Sequence, residues 1–301
     1  MILIVGGTGN LGGHVVEQLL SKGERVRVMT RDPSRARMLK DAGVQVVKGD
    51  LRDEQSLRAA TQDVRVVISS SHSLLGARAS SSLLVDDAGQ HQLIHAAEDA
   101  GAEQFLYVSA LGASPHHPVD FWRTKARIEQ FLRSRAMRYT IVRPGAYMRL
   151  HAYELIGKAV LNSKPVILFG PGTHLTNYVA ERDVAKLLIS AIGTNALDGE
   201  TIEIGGPENL SGNQVVAVFE KLYGRKARVV RVPIALPRLL SACISPVHEG
   251  IGRLLHAAGV APTQDMTFNP VAFLQRFPVT LTSLEVWARE HATQATSHEA
   301  M

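Results

Sequence analysis

Cysteine is almost missing: Cys243 is the one thiol in 301 residues. That excludes an intrachain disulfide and a multi-cysteine zinc site, and it suits a reducing compartment. Aromatic residues make up only 5% of the chain, which leaves little stacking surface for nucleic acid. No run of about 18 apolar residues occurs, so no membrane span is expected. Residues Met1–Gly6 carry no basic leader and no cleavage site, so no secretory signal is expected. These absences predict a soluble cytoplasmic protein without a nucleic-acid partner. Excess charge is small as well. The net charge is +5, with 20 Lys and Arg against 15 Asp and Glu in residues 1–150, and 13 of each in residues 151–301. A phosphate-bearing ligand held by the first half accounts for that asymmetry. Hydrophobic residues at 45% and charged residues at 20% are ordinary for a globular chain. The length suffices to bury a core without metals, and no repeat of fixed period is present.

The first half alternates short apolar runs with amphipathic stretches. The runs are Ile2–Val5, Arg25–Met29, Val44–Lys48, Val64–Ser69, Gln104–Ser109 and Tyr139–Arg143. Each is rich in Val or Ile and ends in a polar or glycine-rich break, as buried parallel strands do. Helices are predicted over Leu11–Ser21, Asp53–Thr61, Ser82–Ala100 and Val119–Ser134, and Asp32-Pro33 reads as a helix start. The pattern predicts an α/β fold with a doubly wound, mostly parallel sheet over residues 1–150. A smaller C-terminal α/β cap region is expected over 151–292, interleaved with the last strands. Within it, Lys164–Phe169, Thr201–Ile204 and Arg228–Val232 read as strands. Arg182–Ile192, Ser211–Tyr223, Pro237–Ala258 and Ser283–His291 read as helices. Residues 293–301 are small and polar and are expected to be a disordered tail.

The first strand runs straight into Gly6-Gly7-Thr8-Gly9-Asn10-Leu11-Gly12 and a helix. Gly7, Gly9 and Gly12 satisfy G-x-G-x-x-G, and Gly6, Gly9 and Gly12 satisfy G-x-x-G-x-x-G. One glycine makes the tight turn, one lets the backbone approach a pyrophosphate, and one lets helix and strand pack closely. Amides at the helix N-terminus then face the phosphates. The alternative is a glycine turn without a ligand, but a strand before and a helix after supply the context that a dinucleotide site requires. An NAD site carries an acid about 20 residues on, for the ribose hydroxyls. Here Arg31 stands in that place, with Arg35 and Arg37 close behind. A cation suits a 2′-phosphate, so NADP(H) is expected over NAD(H); the alternative for Arg31 is a solvated loop residue. Asp50 and Leu51, after the third strand, suit adenine, although Asp50 reads equally well as a helix cap. Ser69 and Ser70 are small enough for a cofactor to cross the sheet edge.

The glycine turn, Thr30-Arg31-Asp32-Pro33, Gly49-Asp50-Leu51, Tyr107-Val108-Ser109 and Tyr139–Gly145 resemble the NmrA-like branch of the atypical short-chain dehydrogenases. Phe169–Gly172, Asp183-Val184-Ala185 and Ile204–Glu208 are similar to that branch's later landmarks, so the resemblance covers roughly residues 1–232. It implies a Rossmann domain, a small substrate region and bound NADP(H). The implied cofactor residues are Gly6, Thr8, Gly9, Asn10, Leu11, Gly12, Arg31, Asp50, Leu51, Ser69, Ser70, Lys125, Pro144 and Gly145. The branch includes quinone and other carbonyl reductases, and also proteins that bind the dinucleotide as a redox signal.

One position departs from the wider family. Short-chain dehydrogenases use Tyr-x-x-x-Lys with an upstream Ser, the phenol protonating the carbonyl. Ser109 and Lys125 match, but the residue four before Lys125 is Phe121, which has no proton to give. Three readings follow: hydride transfer with another donor or with water, a non-catalytic dinucleotide sensor that binds a protein partner, or a non-redox enzyme using the fold for isomerisation or elimination. Candidate donors are Tyr147, His116, His117 and Lys125 itself, since a lysine serves in isoflavone-reductase relatives. The expected catalytic residues are therefore Lys125, Ser109 and Tyr147. Each has a plainer reading: a surface lysine, a strand-end cap and a packed aromatic. Phe121 and Trp122 favour a flat, apolar small-molecule substrate such as a quinone or aryl carbonyl. His91 and His95, four apart, lack a third partner, and no metal site is expected. The basic run from Arg123 to Arg138 reads as a solvated face.

Overall fold

The structure is a computed structural model and describes residues 1–73, 83–277 and 279–299. Strand and helix alternate from the first residues. β1 (Ile2–Val5) leads into α1 (Asn10–Ser21), and β2 (Val26–Thr30) into a tight turn and α2 (Arg37–Asp41). β3 (Gln45–Lys48) leads into α3 (Glu54–Thr61), and β4 (Val66–Ser69) precedes α4 (Gly89–Asp99). β5 (Gln104–Val108), α5 (Asp120–Arg133) and β6 (Arg138–Pro144) follow. β1, β4 and β5 are buried along their whole length, which is why they read as unbroken apolar runs. Local chemistry sets the helix starts. Asp32 accepts from the Ser34 N–H, with Pro33 at the first position of the turn, and Asp53 accepts from the Gln55 N–H at the head of α3.

Later come β7 (Ala146–Tyr147), α6 (Lys158–Leu161), β8 (Val166–Phe169), β9 (Leu175–Val179) and α7 (Glu181–Ser190). Then follow β10 (Glu200–Ile204), β11 (Asn209–Ser211), α8 (Gly212–Tyr223) and β12 (Val229–Val232). The chain ends with α9 (Ala235–Ile244), α10 (Glu249–Val260), α11 (Pro270–Arg276) and α12 (Leu284–Glu299). α8 opens with a reciprocal Ser211–Gln214 capping box and stops at Gly224 in the left-handed region.

Seven strands form one sheet in the order β10-β6-β5-β4-β1-β2-β3. The pairs from β3 across to β6 are all parallel. The order reverses between β1 and β4, and in such sheets the ligand crevice opens beyond the strand ends at that reversal. Gly6–Gly12 follows β1 there, and Ser69-Ser70 closes β4.

The chain divides into two compact units. One holds Met1–Arg143, Val184–Ile202 and Cys243–Leu254; the other holds Pro144–Asp183, Glu203–Ala242 and Leu255–Met301. The core of the first gathers Leu3, Val5, Leu57, Leu93, Phe105, Tyr107, Ile128 and Ile141. The second packs Met148, Ile156, Val166, Tyr178, Phe219, Leu284 and Trp287. It also carries the small sheets β11-β9-β7 and β12-β8.

Several expectations need correcting. Pro237–Ala258 is two helices, because Pro246 has no N–H to donate and the chain turns between Ile244 and Glu249. α12 continues past His291 to Glu299, as Ala292–Glu299 holds neither Pro nor Gly to stop it. Of the helix expected over Ser82–Ala100, Ser82 lies outside the described residues, and Leu83–Ala88 winds with wide π-type turns before α4. Met148–Gly157 has the same wide winding and was not anticipated.

Candidate cofactor and catalytic site

The glycine turn can be tested residue by residue. Gly6 has φ +97°, and a Cβ there would lie 2.7 Å from Ser70 Oγ. A Cβ on Gly12 would lie 2.1 Å from the Gly6 carbonyl oxygen, so only glycine lets α1 pack this close to the turn. Gly9 differs: a Cβ there would meet only Gly6 O, at 3.3 Å, and Thr8, Gly9 and Asn10 are exposed. The middle glycine thus opens outward while the outer two are held by packing. α1 has no side-chain cap and no acid in its first turn, so its leading N–H groups are left for an outside acceptor. These residues fit a dinucleotide pyrophosphate.

At the neighbouring strand ends, Arg31 is exposed and close enough to Asp50 to help hold that carboxyl below the usual range. The largest cause of that lowering is the hydrogen bonding from Arg52, whose Nε reaches Asp50 Oδ1 at 2.8 Å. Asp50 does not cap α3; Asp53 does. Leu51 is buried. An open pocket of about 320 Å³ lies beside Asp50, lined also by Arg52, Asp53, Leu84, Ala88 and Gln92. Asp32 is occupied by Ser34, accepting from its N–H at 3.0 Å and its hydroxyl at 2.6 Å, as its reading as a helix start implies. Ser69 donates to Gln90 Oε1 at 2.8 Å and is fully buried; Ser70 donates to Val5 O at 3.3 Å.

Lys125 is no surface lysine. It is 5% exposed, its Nζ donates to Val108 O at 2.9 Å, and it lies 4.9 Å from the Tyr107 ring centroid and 5.7 Å from that of Phe121. Phe121 and Lys125 are one helical turn apart on α5, which brings their side chains together. Burial lowers the ammonium pKa to about 8, against the opposing pull of Asp86 and Glu129. Among the described residues the buried Tyr107 hydroxyl has no hydrogen-bond partner, and desolvation pushes it well above its ordinary value.

Ser109 belongs to a buried cluster: its Oγ donates to Glu129 Oε1 at 2.5 Å. Glu129 is fully buried and also accepts from Arg143 Nε at 2.8 Å and Arg133 Nη2 at 3.0 Å. His117 stacks on Trp122 at 4.6 Å, and its Nδ1 accepts the Val119 N–H at 3.0 Å; it holds a loop corner. His116 is exposed. His91 and His95 both pack on Phe131. The basic run is tied into ion pairs: Arg127–Asp87, Arg133–Glu129, Arg135–Glu98 and Arg138–Asp198.

In the second unit, the buried Tyr147 hydroxyl has no hydrogen-bond partner among the described residues, and burial with Glu181 nearby raises its pKa far above the ordinary phenol value. That strengthens its hold on the proton and counts against an acid role near neutral pH. Pro144 ends β6. Gly145 donates its N–H to Ile204 O at 2.9 Å, and a Cβ there would lie 3.0 Å from Asn177 O. Asn177 donates to Gly206 O and accepts the Gly206 N–H at 2.7 Å.

Three residues escaped the sequence reading: His72, Asp86 and Glu129. His72 follows Ser69-Ser70-Ser71 at the end of β4, and that position was its only signal. Glu129, four after Lys125, falls on the buried face of α5. Asp86 interrupts an apolar stretch. Among the described residues no group of three or more His, Cys, Asp or Glu could hold a metal ion, and no helix is long and apolar enough to cross a membrane.

Sheet order, glycine turn and open helix start define a protein of the NAD(P)-binding Rossmann class. More narrowly, the chain belongs to the NmrA-like family, whose pattern matches residues 1–259. It is similar to the photosystem II assembly factor Ycf39 of Synechocystis sp., 28% identical over 302 residues, spanning 96% of this chain and 90% of that one. It is similar also to the NAD(P)H azoreductase of Xenophilus azovorans, 30% identical over 236 residues and 78% of each chain. Among solved structures, the NADPH complex of an Escherichia coli NADPH-dependent quinone oxidoreductase shares the fold. Its TM-score is 0.78 at 23% identity, covering 97% of this chain and 100% of that one.

Proposed function

We propose that this protein binds NADP(H) and reduces a quinone or another flat, apolar carbonyl compound, with Lys125 as proton donor in place of the missing tyrosine. The observation that carries this reading is the buried Lys125 ammonium, with a pKa of about 8, at the C-terminal edge of the sheet beside Phe121. An acid is most useful when its pKa lies near the working pH. Bound NADPH supplies the hydride. Lys125 Nζ gives one proton to the substrate oxygen, and Phe121 and Trp122 offer apolar surface to a flat ring. The azoreductase and quinone oxidoreductase relatives favour this chemistry. A cytoplasmic location, compatible with the single thiol, goes with it.

Exposed Arg31, followed by Arg35 and Arg37, supports NADP(H) over NAD(H). Arg31→Ala is expected to weaken NADPH binding roughly ten- to a hundred-fold, matching about 1.5–3 kcal/mol for a charge-assisted hydrogen bond. NADH binding, followed by the same fluorescence titration, should change far less. Equal losses for both would remove the 2′-phosphate assignment.

The direct test is to titrate the protein with NADPH and NADH, then follow nicotinamide absorbance with quinones and aryl aldehydes added. Tight binding with oxidation supports the reductase. Tight binding without oxidation by any acceptor favours a dinucleotide-sensing role on a protein partner, a reading that the Ycf39 likeness also favours.

A further inference from the structure

Two successive elements of the second unit leave apolar side chains facing solvent. β8 and β12 pair in parallel, with Ile167 beside Val230. Side chains alternate across a strand. Val166 and Leu168 join the core of this unit, so Ile167 and Val230 point away from it, and both are exposed, Ile167 by 53%. β12 then leads through Ile234 into α9. A Cβ on Gly170, at the end of β8, would lie 3.3 Å from Ile234 Cγ2, so α9 starts against the same small sheet. The helix is turned the unusual way round. Pro237 and Ser241 are buried, whereas Leu236, Leu239 and Leu240 are exposed, Leu239 by 64%. Positions i, i+3 and i+4 make one stripe on a helix, so α9 shows leucine to solvent and a serine to the protein. Arg238 Nε donates to Gly259 O at 2.8 Å, which fixes the helix in that orientation. Apolar surface of this extent marks an interaction site.

The charge around it names the occupant. From Lys221 to Ala242 the chain holds six Lys and Arg and no Asp or Glu. Lys221 and Lys226 pair with Glu285 and Glu220. The four arginines meet no carboxylate among the described residues. Arg225 donates to Leu161 O, Arg231 to Asn213 Oδ1 and Arg238 to Gly259 O, all neutral acceptors. Arg228 is exposed where the chain enters β12. Their positive charge is therefore not cancelled. We propose that this surface of the second unit docks onto an anionic lipid bilayer, the α9 leucines entering the acyl boundary and the arginines meeting headgroup phosphates. With ten residues α9 is too short to cross a bilayer and lies in its surface. A second copy of the chain fits worse, since a two-fold contact would set these arginines against their own counterparts. A protein partner is less suited too: interface anchors are chiefly Trp, Tyr and Arg, whereas the exposed apolar residues here are Leu, Ile and Val.

None of these side chains belongs to the candidate cofactor or catalytic site, so the test needs neither NADPH nor turnover. The full chain is sedimented with vesicles of phosphatidylcholine alone and of an equal mixture with phosphatidylglycerol. It should bind the mixed vesicles, bind phosphatidylcholine much more weakly, and be released as salt screens the charges. Leu236→Ser, Leu239→Ser and Leu240→Ser together should weaken binding by at least roughly a hundred-fold. Their side chains are exposed, so the melting temperature should hold. Arg228→Gln with Arg231→Gln should weaken binding by roughly twenty-five-fold, about five-fold per cation, with the leucines intact. No binding to the mixed vesicles would overturn the proposal and leave this face to a protein. Equal binding to both vesicle types, or leucine and arginine variants that bind as well as the wild type, would overturn it too. So would a wild-type dimer in the ultracentrifuge that ignores vesicles and that the leucine substitutions turn into a monomer.

Discussion

Lys125→Met is expected to lower NADPH-dependent quinone reduction by roughly 100- to 10,000-fold, the usual contribution of an acid–base group. The fold should survive it intact. Lysine in an unfolded chain keeps its proton up to 10.5, whereas here the native state releases it at about 8. Between those values the unfolded state binds more protons, so the Lys125 penalty on stability is fully present below about pH 8 and fades as pH rises toward 10.5. That interval corresponds to roughly 3 kcal/mol against the native state. Methionine removes the penalty and fills similar volume; the lost hydrogen bond to Val108 O offsets part of the gain. Near neutral pH the variant should therefore melt no lower than the wild type while turnover collapses. In the wild type the rate should hold at lower pH and fall as pH rises through about 8, where the ammonium is lost. A Lys125→Met protein that reduces quinone at near wild-type rate would exclude Lys125 as the acid.

The second large effect falls on Glu129. Its carboxylate is fully buried and satisfies Arg143, Arg133 and Ser109 together. Removing one partner of such a cluster leaves charge without compensation, at a cost of about 3–5 kcal/mol. Glu129→Ala should show this as a lower denaturation midpoint in urea at an unchanged slope. It should also act on the chemistry. Glu129 helps keep Lys125 charged, so without it the alkaline fall in rate should move to lower pH. A variant as stable as the wild type, with the same pH profile, would mean that the cluster neither holds the fold nor tunes Lys125.

Much of this was legible in the chain because it rests on local rules. Buried parallel strands announce themselves as β-branched runs, and β1 to β6 lie within a residue or two of their expected limits. The glycine turn was readable for the same reason: Gly6 and Gly12 answer to backbone geometry and close packing, and no other residue type serves there. Asp32 shows its cap in sequence, whereas the cap of α3 falls on Asp53 and not on Asp50. The second unit was harder. β7 and β11 are two and three residues long, and both are organised around β9 by contacts distant in sequence. The catalytic edge was half legible. The place of Lys125 followed from spacing, but its burial depends on Tyr107 and Val108 of β5 packing against its own helix α5. Ser109 looked free to meet a substrate because nothing in the sequence links it to a glutamate 20 residues away. His72 went unnoticed because a lone histidine after a strand carries no pattern.

Cys243, the lone thiol, is exposed. It stands at the residue where the second unit returns the chain to the first. One maleimide dye would label one atom per molecule, with no engineered background and no competing sulfhydryl. The protein thus comes with its own reporter position. A fluorophore there can be read as dinucleotide is added, with Lys125, Glu129 and Arg31 left untouched.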